Sequence, residues 1–116
     1  MSRNITITIE PDWKGQLAKN AKQAFIGKKL GEKLSFASPE LFFSKLTANR
    51  WALVNALQGS GEMGVREVAR KVERDVRRVH DDLQVLLELG LIEKTAEGKV
   101  LCPYADIHMD MHMRAA

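Results

Sequence analysis

Isoleucine alternates with polar residues at the amino end, Ile5, Ile7 and Ile9 against Thr6, Thr8 and Glu10. This period of two predicts a strand over residues 5–10 with one buried face. The period then lengthens. After Pro11 and Asp12, apolar Trp13, Leu17, Ala21, Ala24 and Phe25 recur at spacings of three and four, with Lys14, Lys19 and Lys22 elsewhere on the surface, so a helix is expected, ended by Gly27 or Gly31. Leu34 and Phe36 around Ser35 predict a short second strand. Ser38-Pro39-Glu40 is a helix start. The hydroxyl can accept from free amides, proline suits the first helical position, and the acid faces the positive helix end. That helix is expected to run through Leu46.

Thr47 can cap a further helix, in which Trp51, Val54 and Leu57, supported by Leu53, form an apolar stripe before Gly59 and Gly61 interrupt it. Gly64 precedes a short helix over residues 65–72 with Val65, Val68 and Ala69 facing inward. Only Glu73 and Arg74 separate it from the next. Asp75 caps that one, and Val76, Val79, Leu83, Leu86 and Leu87 mark its apolar face until Gly90. Residues 91–94 and 99–102 flank Thr95-Ala96-Glu97-Gly98, which predicts a hairpin with a glycine-bearing turn. Near the end Ile107, Met109, Met111 and Met113 alternate with His108, Asp110, His112 and Arg114, a second amphipathic strand over residues 106–113. The two terminal strands are expected to bury their Ile and Met faces against each other or across a dimer.

Helix, short helix, tight turn, longer helix, glycine and hairpin is the order of a winged helix-turn-helix, whose second paired helix enters the major groove while the hairpin reaches along the backbone. The expected fold is therefore α+β: an amino-terminal strand-helix-strand extension over residues 1–37, then a winged helix-turn-helix domain with a carboxy-terminal strand over residues 38–116. The recognition helix is residues 75–89.

Composition narrows the function classes. The chain has 116 residues, enough for one modest core. The longest apolar stretch, residues 85–92, is broken by Glu88 and Gly90, far short of the ~20 residues that span a bilayer. The start, Met1-Ser2-Arg3-Asn4, lacks the apolar core of a secretory signal, so a cytoplasmic location is expected. Single Cys102 can form neither an internal disulfide nor a cysteine-based zinc site and reads as a small hydrophobe in a strand. The net charge of +3 suits a polyanion, and its distribution says more. Between residues 65 and 80, Arg66, Arg70, Lys71, Arg74, Arg77 and Arg78 outnumber Glu67, Glu73 and Asp75. That excess coincides with the helix pair.

The stretch VREVARKVERDVRRVHDDLQVLLELGLIEKTAEGKV resembles winged-helix regulators of the broad MarR-like group, whose recognition helix habitually ends in a segment like LLELGLIEK. The chain from residue 34 to 116 also resembles a family of short winged-helix DNA-binding proteins through LSFASPELFFSKLTANRWALVNALQ, VREVARKVERDVRRVHDDLQVLLELGLIE and VLCPYADIHMDMHMRAA. Some of its members are encoded beside small toxins and regarded as antitoxins. The resemblance implies double-stranded DNA as partner, a homodimer, a transcription regulator acting as repressor, and a cognate toxin as a further candidate partner. One departure is Met63-Gly64, where many relatives carry a serine or threonine cap.

With Val76, Val79 and Leu83 turned inward, Arg74, Arg77, Arg78 and Asp81 fall on or near the opposite side of the helix, towards its amino end. Arginine can donate two bonds to a guanine edge, so Arg77 or Arg78 is the candidate base reader. Arg70 and Arg74, with Lys94 and Lys99 beside the hairpin turn, are candidate phosphate contacts. The competing reading is a solvated charged face paired locally with Glu73 or Asp75. His80 reads as an edge-of-core residue, and Trp51, Phe36, Phe42 and Phe43 as core or interface rather than stacking platforms. His108, Asp110 and His112 share one side of the terminal strand, a spacing that strand alternation alone produces, so no metal or other cofactor is expected. No nucleophile, base and orienting group assemble at a recognisable spacing, so no enzyme is expected. The alternative to a regulator is a protein-interaction module that uses the winged helix as a docking surface, and the acids Asp81 and Asp82 in the recognition helix keep that alternative open.

Overall fold

The computed structural model describes residues 3–9 and 32–111. The described elements are β1 (Arg3–Ile9), β2 (Glu32–Phe36), α1 (Pro39–Lys45), α2 (Ala48–Leu57), α3 (Val65–Val72), α4 (Val76–Leu89), β3 (Glu93–Lys94), β4 (Val100–Leu101) and β5 (Tyr104–Asp110). The fold is α+β. The helix expected after Pro11, Glu10 at the end of the first expected strand, and His112 and Met113 of the last lie outside the described residues. Two compact units divide the chain, one carrying β1, β2 and the segment to Ser44 together with residues from Asp106 onward, the other Lys45–Ala105. This grouping differs from the boundary expected at residues 37 and 38, because hydrogen bonding along β1 draws the last strand to the amino-terminal elements.

In the first unit β1 is the central strand of a sheet ordered β2-β1-β5. It runs parallel to β2, with Ile5 opposite Glu32 and Ile9 opposite Phe36. Alternation buries Ile5 and Ile7 as expected; Thr8 is also buried, its hydroxyl 3.1 Å from that of Ser35. An Arg3–Glu32 ion pair closes the start of the ladder. The terminal strands thus meet edge to edge within one sheet rather than face to face. Both edges of β1 are paired, which satisfies its backbone, while Met109, expected on a buried face, is 51% exposed. Ser38 caps α1, its Oγ accepting from the amide of Leu41 at 3.2 Å. Phe42 is buried edge-on to Phe36, with ring centroids 5.4 Å apart, whereas Phe43 faces solvent.

The second unit packs α2, α3 and α4 around Leu53, Val54, Leu57, Val68, Ala69, Val79, Leu83 and Leu86, all buried. The stripes expected on these helices account for that core. Several helix ends are satisfied by side chains or by a left-handed cap. Thr47 accepts from the Arg50 amide at the start of α2, and Lys71 Nζ donates to the Ala56 carbonyl at 2.9 Å in its last turn, where a cation complements the negative helix end. Gly90 closes α4 at φ 81°, a left-handed conformation that lets the Leu91 amide reach the Leu86 carbonyl at 3.1 Å. Leu91 and Ile92, expected in the hairpin, instead fill the core; the paired part of the hairpin is shorter, with Glu93 opposite Leu101 and Lys94 opposite Val100. Val100 also exchanges two 2.8 Å bonds with Met63, a third bridging segment that no alternation announced. Cys102 is buried, and burial pushes its thiol above the ordinary range, which suppresses thiolate chemistry.

Among these helices α3 has the weakest start. Gly64 sits in an extended conformation with no side-chain cap, and a Cβ built there meets only Glu67 Oε1, at 3.8 Å. Gly64→Ser would place a hydroxyl three residues before Glu67, the capping-box spacing. It is expected to stabilise the unit by about 0.5–1 kcal/mol, through the cap and the lost freedom of glycine in the unfolded chain. Chemical denaturation of the two proteins should show a raised midpoint at unchanged slope.

Candidate nucleic-acid interface

α3 and α4 are joined by a turn of three residues. Glu73 adopts φ 56° and ψ 49°, the one non-glycine residue at positive φ among those described. This conformation carries the Arg74 amide back to the Ala69 carbonyl at 3.0 Å, a closure usually left to glycine. Asp75 then caps α4, its carboxylate accepting from the Arg78 amide at 3.2 Å. The two helices are thus joined by a short turn whose backbone and cap groups are hydrogen-bonded.

Four arginines project from this helix pair. Arg66 and Arg70 on α3 and Arg77 and Arg78 on α4 are exposed and make no ion pair among the described residues. Arg66, Ala69, Arg70, Arg74 and Val76 line a shallow depression of about 420 Å³. Lys94, exposed, and Lys99, half-buried, stand on the hairpin and do not line it. Asp81 is exposed, with His80 Nδ1 at 3.7 Å, too long for a hydrogen bond. So Arg70, Arg77, Arg78, Lys94 and Asp81 keep the accessibility a DNA contact needs.

Two expectations require correction. Val76 was expected to face inward, yet it is 42% exposed. As the first residue of α4 it precedes the turn on which Val79 and Leu83 become buried. Arg74, expected to contact phosphate, is turned into the unit: its Nη2 donates to Asp82 Oδ2 at 2.7 Å, and its Nη1 is buried without a hydrogen-bond partner among the described residues. Asp82 Oδ1 accepts in turn from Arg50 Nε at 3.0 Å, and Arg50 Nη1 donates to the Lys45 carbonyl at 2.9 Å. The three side chains are only 16–21% exposed. Burial raises the Asp82 pKa, but hydrogen bonds and charge from Arg74 and Arg50 outweigh it and hold the carboxyl below its ordinary value. The bridge joins α2, the turn and α4, and so fixes how α4 is presented.

Arg50 and Asp82 are residues that sequence reasoning missed as supports of the site. Their separation along the chain gives no periodic signal, and Asp82 looked like a surface acid. Among the described residues, no group of three or more His, Cys, Asp or Glu is placed to hold a metal ion, and no helix is long and apolar enough to cross a membrane.

The second unit is thus a small α+β assembly of three helices and a hairpin, with a basic helix pair open to solvent. The model of the HVO_A0114 family matches residues 45–109, more than half of the chain, and the chain belongs to that family. The match spans the helix pair, its arginine support and the hairpin. No curated protein and no solved structure matches the chain.

Proposed function

We infer that residues 45–105 form a winged helix-turn-helix, with α3 and α4 as the helix pair and β3–β4 as the wing, and that the protein is a sequence-specific double-stranded DNA-binding transcription regulator. One observation carries this reading: Arg66, Arg70, Arg77 and Arg78 are exposed, and unpaired among the described residues, on the two helices that such a motif applies to DNA. Charged groups left without local partners have no evident role in stabilising the unit, and they are suited to displacing counterions from phosphates. Arg77 and Arg78, in the first turn of α4, are the base readers, and Arg70, Lys94 and Lys99 contact phosphate. The hairpin supports this assignment, because its tie to Met63 anchors Lys94 and Lys99 to the helical unit. A homodimer would set one α4 into each of two successive major grooves of a near-palindromic operator and repress by occluding polymerase.

Fluorescence anisotropy against the duplex upstream of the protein's own gene and a scrambled duplex, between about 50 and 200 mM salt, tests the reading. The expected result is at least ~10³-fold preference for the cognate duplex. Equal, weak and wholly salt-sensitive binding to both would sink it and favour docking to a protein.

A further inference from the structure

An exposed branched apolar side chain at the start of a recognition helix, rimmed by arginines, calls for an occupant that is apolar at one point and anionic around it. Val76 is 42% exposed, and Arg66, Arg70 and Arg74 line the same depression. A second protein with an acidic, apolar segment would meet this description in part, but the major groove of DNA meets it closely. There the C5-methyl of thymine stands among base-edge acceptors and is flanked by phosphates. We propose that Val76 is a specificity-determining residue that reads a thymine methyl group, with Arg66 and Arg70 holding the adjacent phosphates. The proposal rests on the DNA-binding reading above and adds a base preference to it.

The position explains why the residue is valine. Val76 lies on the same side of α4 as Val79 and Leu83 but at the first position of the helix, one turn before the residues that are buried, so much of its surface stays open. Arg74 cannot take over the contact, because Asp82 holds its guanidinium inward. Alanine there would leave the methyl uncovered. The neighbouring Arg77 supplies hydrogen bonds but no apolar surface.

The test starts from duplexes selected by the full chain from a random pool. Each thymine of the enriched site is then replaced singly by deoxyuridine, which removes only the C5-methyl. For the unaltered protein, one replacement per half-site is expected to weaken binding about fourfold, the effect of withdrawing one methyl from an apolar contact. For Val76→Ala, the same replacement is expected to have no effect. A double-mutant cycle between side chain and methyl isolates that contact. An enriched site whose thymine methyls matter equally to both proteins, or to neither, overturns the Val76 assignment and leaves the regulator reading standing. A pool that yields no enriched sequence overturns both.

Discussion

Arg77→Ala combined with Arg78→Ala is expected to weaken binding to the cognate duplex by about 2–4 kcal/mol, roughly 30- to 1,000-fold, with no loss of folding stability. Each arginine that donates two bonds to a base edge contributes about 1–3 kcal/mol of discrimination, and a phosphate contact contributes less. Neither side chain has an ion-pair partner to lose among the described residues, so the thermal midpoint should move by no more than an exposed-surface substitution moves it, within about 0.5 kcal/mol. The Asp75 cap is untouched, because its donor at Arg78 is the backbone amide. The slope of log K against log salt should flatten by roughly one unit for each phosphate contact removed. Isothermal anisotropy titrations beside thermal melts separate these effects. A double variant that binds as well as the unaltered protein would remove α4 from the interface.

Asp82→Asn is expected to cost about 2 kcal/mol of folding stability at neutral pH. The substitution leaves two partly buried guanidinium groups facing a neutral amide, and one of them already has a buried nitrogen without a partner among the described residues. Breaking a fully buried pair costs about 3–5 kcal/mol; residual solvent contact of roughly a fifth of each side chain lowers that figure. The sign of the pH dependence follows from the depressed carboxyl. Its contribution is fully present above the ordinary aspartate value of 3.8 and disappears as pH falls through the lower value of the folded state. The stability difference between the two proteins should therefore be constant from neutrality to about pH 5 and shrink below pH 4. Urea denaturation at several pH values measures it. A difference that persists undiminished at pH 3 would mean that the amide disturbs packing rather than charge.

The two substitutions address different levels of one design. In the proposed reading Arg77 and Arg78 are the groups offered to DNA, and Asp82 supports the helix that would offer them. A side chain reaches a base edge only if its helix enters the groove at the right tilt, so loosening the Arg50–Asp82–Arg74 bridge should also weaken DNA binding, though less than removal of the base readers.

The local pattern of the chain was sufficient for the helices of the second unit. Leu53, Val54 and Leu57, then Val68 and Ala69, then Val79, Leu83 and Leu86 recur at helical spacing and are buried, because one side of a helix repeats every three to four residues and must be covered. Thr47, Asp75 and Gly90 were legible as caps for an equally local reason: their partners lie within five residues. What lay beyond such short range was decided by the tertiary structure. Arg74 and Asp82 could both be taken for surface charges until folding placed the Asp82 carboxylate between Arg74 and Arg50 of α2. Val76 fitted the apolar period but fell outside the core, because helical phase alone does not say where the covering partner ends. Met63 joined the hairpin, and the terminal strands met edge to edge, through backbone hydrogen bonds that leave little mark on side-chain pattern. Periodicity encodes which face of each element is buried; the contacts that orient one element against another are made between residues far apart in the chain and exist only once it has folded.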